Sequence, residues 1–189
     1  MTTPQEVLEF WLDDTGPEGW YRQSEALDTE IRQRFESAWQ QARQGGLREW
    51  RCSPRGALAY IVLTDQFPRN MFRGDARAFA TDRLALRAAY SAIHANQDLM
   101  IEEPERQFFY LPYMHSELSV AQDRAVRLFM TRMPDTGGAN LRHARAHREV
   151  IRKFGRFPYR NSALSRTMER REKRWLDETG YAGELNALD

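Results

Sequence analysis

Between Ser53-Pro54 and Pro68 the chain runs Ala57, Leu58, Ala59, Tyr60, Ile61, Val62, Leu63, apolar on nearly every side of a helical wheel. A helix with no polar face has nothing to offer water, so other elements must wrap it on all sides. Ser53 reads as its N-cap and Pro54 as its first helical residue. Pro68 predicts its end, because proline lacks an N–H for the ladder and disfavours the α conformation in Phe67. Whatever this chain folds into is therefore built around one buried helix.

The remaining segments supply the wrapping. "TPQEVLEFWL" opens with Thr3 and Glu6 at capping-box spacing and predicts a short amphipathic helix. "DDTGPEGWYRQ" reads as a loop from its Gly and Pro content. Leu27, Ile31, Phe35, Ala38, Trp39 and Ala42 recur at i, i+3, i+4 and predict a helix from about Glu25 to Gln44, stopped by Gly45-Gly46. Further helices are expected where Thr81 with Asp82 caps the next run, from Pro104 to a break at Pro112, from a Ser119/Gln122 capping box to Pro134, from about Asn140 to Gly155, and finally over "TMERREKRWLDETG". No stretch alternates as a half-buried strand does. The expectation is an all-α fold of about eight helices in an irregular bundle. At 189 residues one core suffices, so the chain reads as a single domain, 1–189.

The sequence opens without a secretory pattern and has no apolar run of membrane-spanning length, which implies a cytoplasmic protein with no membrane partner. Cys52 is the single cysteine, read as a small buried or half-buried residue, and it excludes both an internal disulfide and a cysteine-based zinc pattern. The net charge of +1 conceals an asymmetry. Arg142 to Arg174 carries twelve basic and three acidic side chains, an electropositive stretch.

With "VLEFWL", "RGALAYIVLTDQFPRNMFRGDARAFATD", "FFYLPYMHSE" and "HREVIRKFGRFPYRNSALSR" in view, the chain resembles the bacterial domain-of-unknown-function family 924 from Val7 to about Leu176. That resemblance implies an all-helical, tetratricopeptide-like superhelix. It brings no activity, cofactor or site residue with it.

"QFPRN" and "RFPYRN" are the chain's one internal echo, read as two turns that each follow a helix end. Arginines there are suited to bracing the terminal carbonyls. Alternatively Arg69, Arg156 and Arg160 converge with Asn70 and Asn161 as ligand-binding residues for a carboxylate or phosphate. Asp65, on an otherwise apolar helix, needs a cationic partner if buried, and an Arg from one of the turns suits it. His115 and Glu117 lie in a connection where functional side chains often sit. His143 and His147 share a helix face, His143 reading as solvent-facing and His147 as a hydrogen-bonded core residue. A metal on His147, His115 and Glu117 is disfavoured, since the zinc-protease Glu is missing and cations surround the pair. No metal and no cofactor is expected.

Three functions fit these residues. The first is a helical scaffold that binds a small anionic molecule or an acidic peptide. The second is an acid-base enzyme, possibly a hydrolase, with Asp65 or Glu117 as base and His115 or His147 as acid. The third is nucleic-acid binding through the basic segment, for which no motif speaks. Phosphate loops, nucleophile elbows and dinucleotide fingerprints are all absent.

Overall fold

The computed structural model describes residues 1–188, and among them every regular element is helical. Length alone gave no reason to divide the chain; its contacts gather it into two compact units, Met1–Pro112 and Tyr113–Asp189.

In the first unit, α1 (Pro4–Leu8) begins with the Thr3/Glu6 capping box that the spacing predicts. It continues through a π-helical turn, Glu9–Thr15, into Gly16–Gly19, so the stretch expected as a loop is largely helical. Trp20 then folds back, its indole N–H donating to the Trp11 carbonyl at 2.7 Å. Ser24 caps α2 (Glu25–Arg43), which buries Ile31, Phe35, Ala38, Trp39 and Ala42. Ser53 caps α3 (Pro54–Ile61), whose residues from Gly56 onward are all buried. α4 (Asp82–His94) packs on α3, as does α1. Phe67 sits amid the rings of Phe35, Trp11 and Phe10, with centroids 4.8, 5.5 and 6.0 Å away.

Pro68 does not end the central helix. The chain passes from α3 into a π-helical turn, Val62–Gln66, and then into Phe67–Met71, with Pro68 inside the last segment. The π turn explains how. Phe67 N–H reaches back five residues to the Val62 carbonyl, widening the coil where a proline ring would meet the carbonyl of Thr64. Proline still leaves that carbonyl without its helical donor, and Thr81 supplies one: its hydroxyl donates to Thr64 O at 2.6 Å and accepts from Trp39 Nε1 at 3.0 Å. Thr81, expected to cap α4 with its side chain, makes no such cap because its hydroxyl is spent here.

The second unit contains α5 (Ser119–Arg132) and α6 (Gly138–Phe154), packed against each other, followed by α7 (Arg170–Glu178) and α8 (Gly180–Asn186). α6 stops at Gly155 as expected, in the left-handed conformation at φ +71. "RFPYRN" follows that stop, with Pro158–Arg160 forming a 3-10 turn. α8 was not expected. The Ser119/Gln122 capping box does not form, because the buried Gln122 amide instead donates to the carbonyls of Met114 and Ser116 at 2.8 and 2.6 Å. The segment after Pro104 is a 3-10 turn, Glu105–Phe109, and then the short helix Leu111–Met114, which contains Pro112 rather than stopping there. Val150, Ile151, Phe157 and Trp175 form a buried cluster in the second unit, with Phe154, Leu176 and Tyr181 against it.

Thr81→Val keeps the shape of the side chain and removes both bonds, leaving Thr64 O and Trp39 Nε1 buried without partners. A loss of about 2 kcal/mol in urea unfolding is expected. A change below about 0.5 kcal/mol would show that the proline-orphaned carbonyl does not depend on Thr81.

Candidate functional site

In the first unit the predicted residues are held by bonds within the fold. Asp65 is fully buried, with Oδ1 3.2 Å from Arg69 Nη1 and Oδ2 2.5 Å from Gln66 Nε2. Arg69 also donates to the Asp65 carbonyl and to Asp82 Oδ1 at 3.0 Å. Asn70 donates to Asp28 Oδ1 at 2.9 Å, beside the fork that Arg73 closes on the same carboxylate. Asp65 and Arg69 thus brace the irregular helix, and Asn70 ties it to α2.

The first unit also carries an open cleft of about 730 Å³ lined by Glu9, Asp13, Glu49 and Arg55 over Leu8 and Trp50. Glu105, whose carboxyl is pushed up by burial, feels the charges of Arg55 and Asp13. The cleft is predominantly acidic and contains none of the predicted site residues. Cys52, expected to be at least half-buried, is exposed.

Two glutamates hold "RFPYRN" in place. Glu117 accepts from both terminal nitrogens of Arg166, at 2.8 and 3.0 Å, and from the Phe157 N–H at 2.8 Å. Burial pushes its carboxyl up, but these bonds outweigh burial and leave it below the usual carboxylate range. Glu172, on α7 and without exposed surface, accepts two bonds from Arg156 at 2.6 and 2.8 Å. It also takes one bond from Asn161 Nδ2 at 3.1 Å and one from its own helix cap at 2.8 Å. The Arg156 bonds above all pull its carboxyl down to about 2. Arg156 and Asn161 are therefore internal partners, and Glu117 is an anchor. Glu117 is engaged by an arginine fork, an arrangement that leaves it unsuited to taking a proton, whereas Asp65, in the first unit, is held by one Arg69 nitrogen and the Gln66 amide.

The histidines behave differently. His143 is half-buried rather than solvent-facing, its Nδ1 2.7 Å from the Tyr181 hydroxyl. The same hydroxyl lies 3.0 Å from His147 Nδ1, which is 2.9 Å from the His143 carbonyl. A carbonyl can only accept, so His147 Nδ1 carries the proton. The Tyr181 hydroxyl therefore accepts from His147 Nδ1, which leaves its own proton available to His143 Nδ1. His147 is left with a lone pair on Nε2, and no described residue donates to it. Burial above all holds this imidazole neutral, lowering it to about 3, with the nearby charges of His115 and Arg160 adding to the effect. Burial likewise lowers His143 and raises the Tyr181 phenol.

Around His147 stand the rings of Tyr181 and Phe157, at 4.8 and 5.3 Å, and Tyr159 stacks on Phe157 at 5.3 Å. The Arg160 guanidinium lies 4.4 Å over the other aromatic partner, Phe157, and its charge reaches both His147 and Glu117. Of the predicted residues, the second unit brings together His115, Glu117, His147 and Arg160. Tyr181 and Arg166 were missed: Tyr181 sits on the unexpected α8, and Arg166 is one arginine in a basic run with no spacing to mark it.

No group of three His, Cys, Asp or Glu side chains among the described residues is arranged to hold a metal ion. The basic segment is also extensively paired within its own unit, Arg152 with Glu149, Lys153 with Glu184, Arg156 with Glu172 and Arg166 with Glu117. Among the described residues no helix is long and apolar enough to cross a membrane.

The pKa of Glu172 has a consequence for acid stability. Its folded value, about 2, lies below the ordinary glutamate value, so its contribution is complete above that ordinary value and fades as pH falls toward 2. Glu172→Gln should cost about 2 kcal/mol at neutral pH and flatten the loss of stability between about pH 4.5 and 2. Denaturant unfolding across that range checks both, and an unchanged acid limb would contradict the ion-pair account.

Comparison with known proteins supplies a family. The description "Bacterial protein of unknown function (DUF924)" matches residues 7–180. A solved structure of a protein of unknown function from Agrobacterium tumefaciens is 39% identical, with a TM-score of 0.86, covering 93% of this chain and 97% of that one. No curated protein matches. The chain belongs to the DUF924 family of bacterial proteins of unknown function.

Proposed function

We propose that the protein is a helical binding module that takes a small anionic molecule at the His115, His147 and Arg160 cluster of its second unit. One observation carries the reading. Asp65, Arg69, Asn70, Glu117, Arg156 and Asn161 are each held by bonds that brace the fold, whereas His147 has its Nδ1 fixed by the chain and no described residue donating to its Nε2. A half-buried imidazole beside a guanidinium and three aromatic rings offers polar recognition on an apolar wall, the usual composition of a ligand site.

The acid-base alternative is less well supported. A general acid also works best with a pKa near the operating pH, and His147, the predicted acid, stands at about 3. At neutral pH it is an acceptor of hydrogen bonds rather than a carrier of protons.

Thermal unfolding against small carboxylates, phosphate and a short acidic peptide tests the proposal. A ligand present at about 100 times its Kd adds about 2.7 kcal/mol to the native state. The stabilisation should disappear in Arg160→Gln, with each protein compared against its own unliganded midpoint. Stabilisation that survives that change would move the site elsewhere.

A further inference from the structure

We infer that the cleft of the first unit is a further binding site, one that takes a small amino acid with a basic side chain, its carboxylate meeting Arg55 and its two ammonium groups meeting Asp13 and Glu49. The inference does not rest on the histidine cluster of the second unit, and either reading can fail without the other.

The cleft is assembled from separate elements. Glu9 and Asp13 stand on the π-helical turn that continues α1, Glu49 and Trp50 on the 3-10 turn Arg48–Cys52, and Arg55 near the start of α3, against which both α1 and the 3-10 turn pack. Its carboxylates therefore come from two elements, over a space of about 730 Å³ whose apolar surface includes Leu8 and Trp50. No three His, Cys, Asp or Glu side chains among the described residues are gathered as a metal ion requires. An extended organic cation suits acids spread in this way better than a compact ion does.

The fold leaves particular groups of the cleft unused. Glu9 accepts from Gln5 Nε2 at 2.7 Å, and the Ser53 hydroxyl accepts from Gly56 N–H at 3.2 Å. Asp13, Glu49 and Arg55 make no hydrogen bond or ion pair with any described residue. Arg55 and Asp13 share a neighbour all the same, the half-buried Glu105, which feels both of their charges.

Trp50 points to a ligand independently of the acids. Only 7% of it is exposed, it lines the cleft, and its indole N–H donates to no described residue. A side chain buried to that degree ordinarily finds a partner for its polar atom. The unused groups together specify the occupant: cations for Asp13 and Glu49, and one carboxylate for the Arg55 fork and the indole N–H. The carbon chain between them lies over Leu8 and the Trp50 ring, an apolar wall with polar groups at its margins. With Glu9, Asp13 and Glu49 against the single guanidinium of Arg55, the lining favours the net positive charge that such an amino acid carries at neutral pH.

Calorimetric titration of lysine, cadaverine and Nα-acetyl-lysine into the full chain tests the assignment. Cadaverine is lysine without its carboxylate, and Nα-acetyl-lysine keeps the carboxylate but loses one cation. Lysine should bind about tenfold more tightly than either. In Arg55→Gln the advantage of lysine over cadaverine should vanish, whereas Asp13→Asn should weaken both. The two replaced side chains are exposed, and circular dichroism checks that the variants stay helical. In the unaltered protein, lysine and not cadaverine should move the indole N–H resonance of Trp50, a readout that needs no variant. Cadaverine binding as tightly as lysine would overturn the carboxylate assignment, and Nα-acetyl-lysine binding as tightly would overturn the second cation. No binding of lysine would overturn the inference outright and leave the anion-binding reading of the second unit untouched.

Discussion

A proline in a buried helix creates a debt at one known atom, the carbonyl four residues earlier. Here that atom is Thr64 O, and the first unit is organised around giving it a donor. Thr81 reaches it from the start of α4, Trp39 of α2 donates to Thr81, and Asp82, one residue further on, takes Arg69. Arg69 in turn neutralises Asp65 within the π turn. A single missing N–H thus fixes where α2 and α4 lie against the central helix, because only one placement satisfies the carbonyl, the indole and the carboxylates together. Burial of Phe67 among three rings adds apolar area to the same arrangement.

The second unit solves a related problem with charge. "RFPYRN" has little regular structure of its own, only a 3-10 turn, and its orientation comes from Glu117 on one side and Glu172 on the other. Both carboxylates are ionised and fully engaged, so they hold geometry instead of exchanging protons. That division of labour leaves the histidine pair and Tyr181 as the polar groups whose state is set by burial rather than by ion pairing.

Much of the fold was legible in the sequence because helix starts are local. Thr3 and Ser53 cap where their spacing says they do, and the apolar rows of α2 and α3 are buried as written. Pro68 was misread because its usual consequence was overridden by a π turn and a distant threonine, neither of which leaves a local pattern. Thr81 and Gln122 were misread as caps for the same reason: their side chains found buried carbonyls outside their own helices. The site was legible in part. His115, Glu117, His147 and Arg160 stand out by residue type, but Tyr181, whose hydroxyl lies against both His143 and His147, sits on a short helix whose sequence gives no signal of its own.

The π turn also constrains how the gene can change length. Its extra residue per turn sets the rotation of everything that follows, and each residue of an α-helix turns the chain by about 100°. Removing one residue between Val62 and Gln66 would regularise the hydrogen-bond ladder. It would also swing Arg69 away from Asp82 and Asn70 away from Asp28. Relatives that keep the Asp-Gln-Phe-Pro-Arg-Asn phrase should therefore keep the spacing from Ser53 to Pro68 without insertion or deletion, even where the side chains along that helix vary.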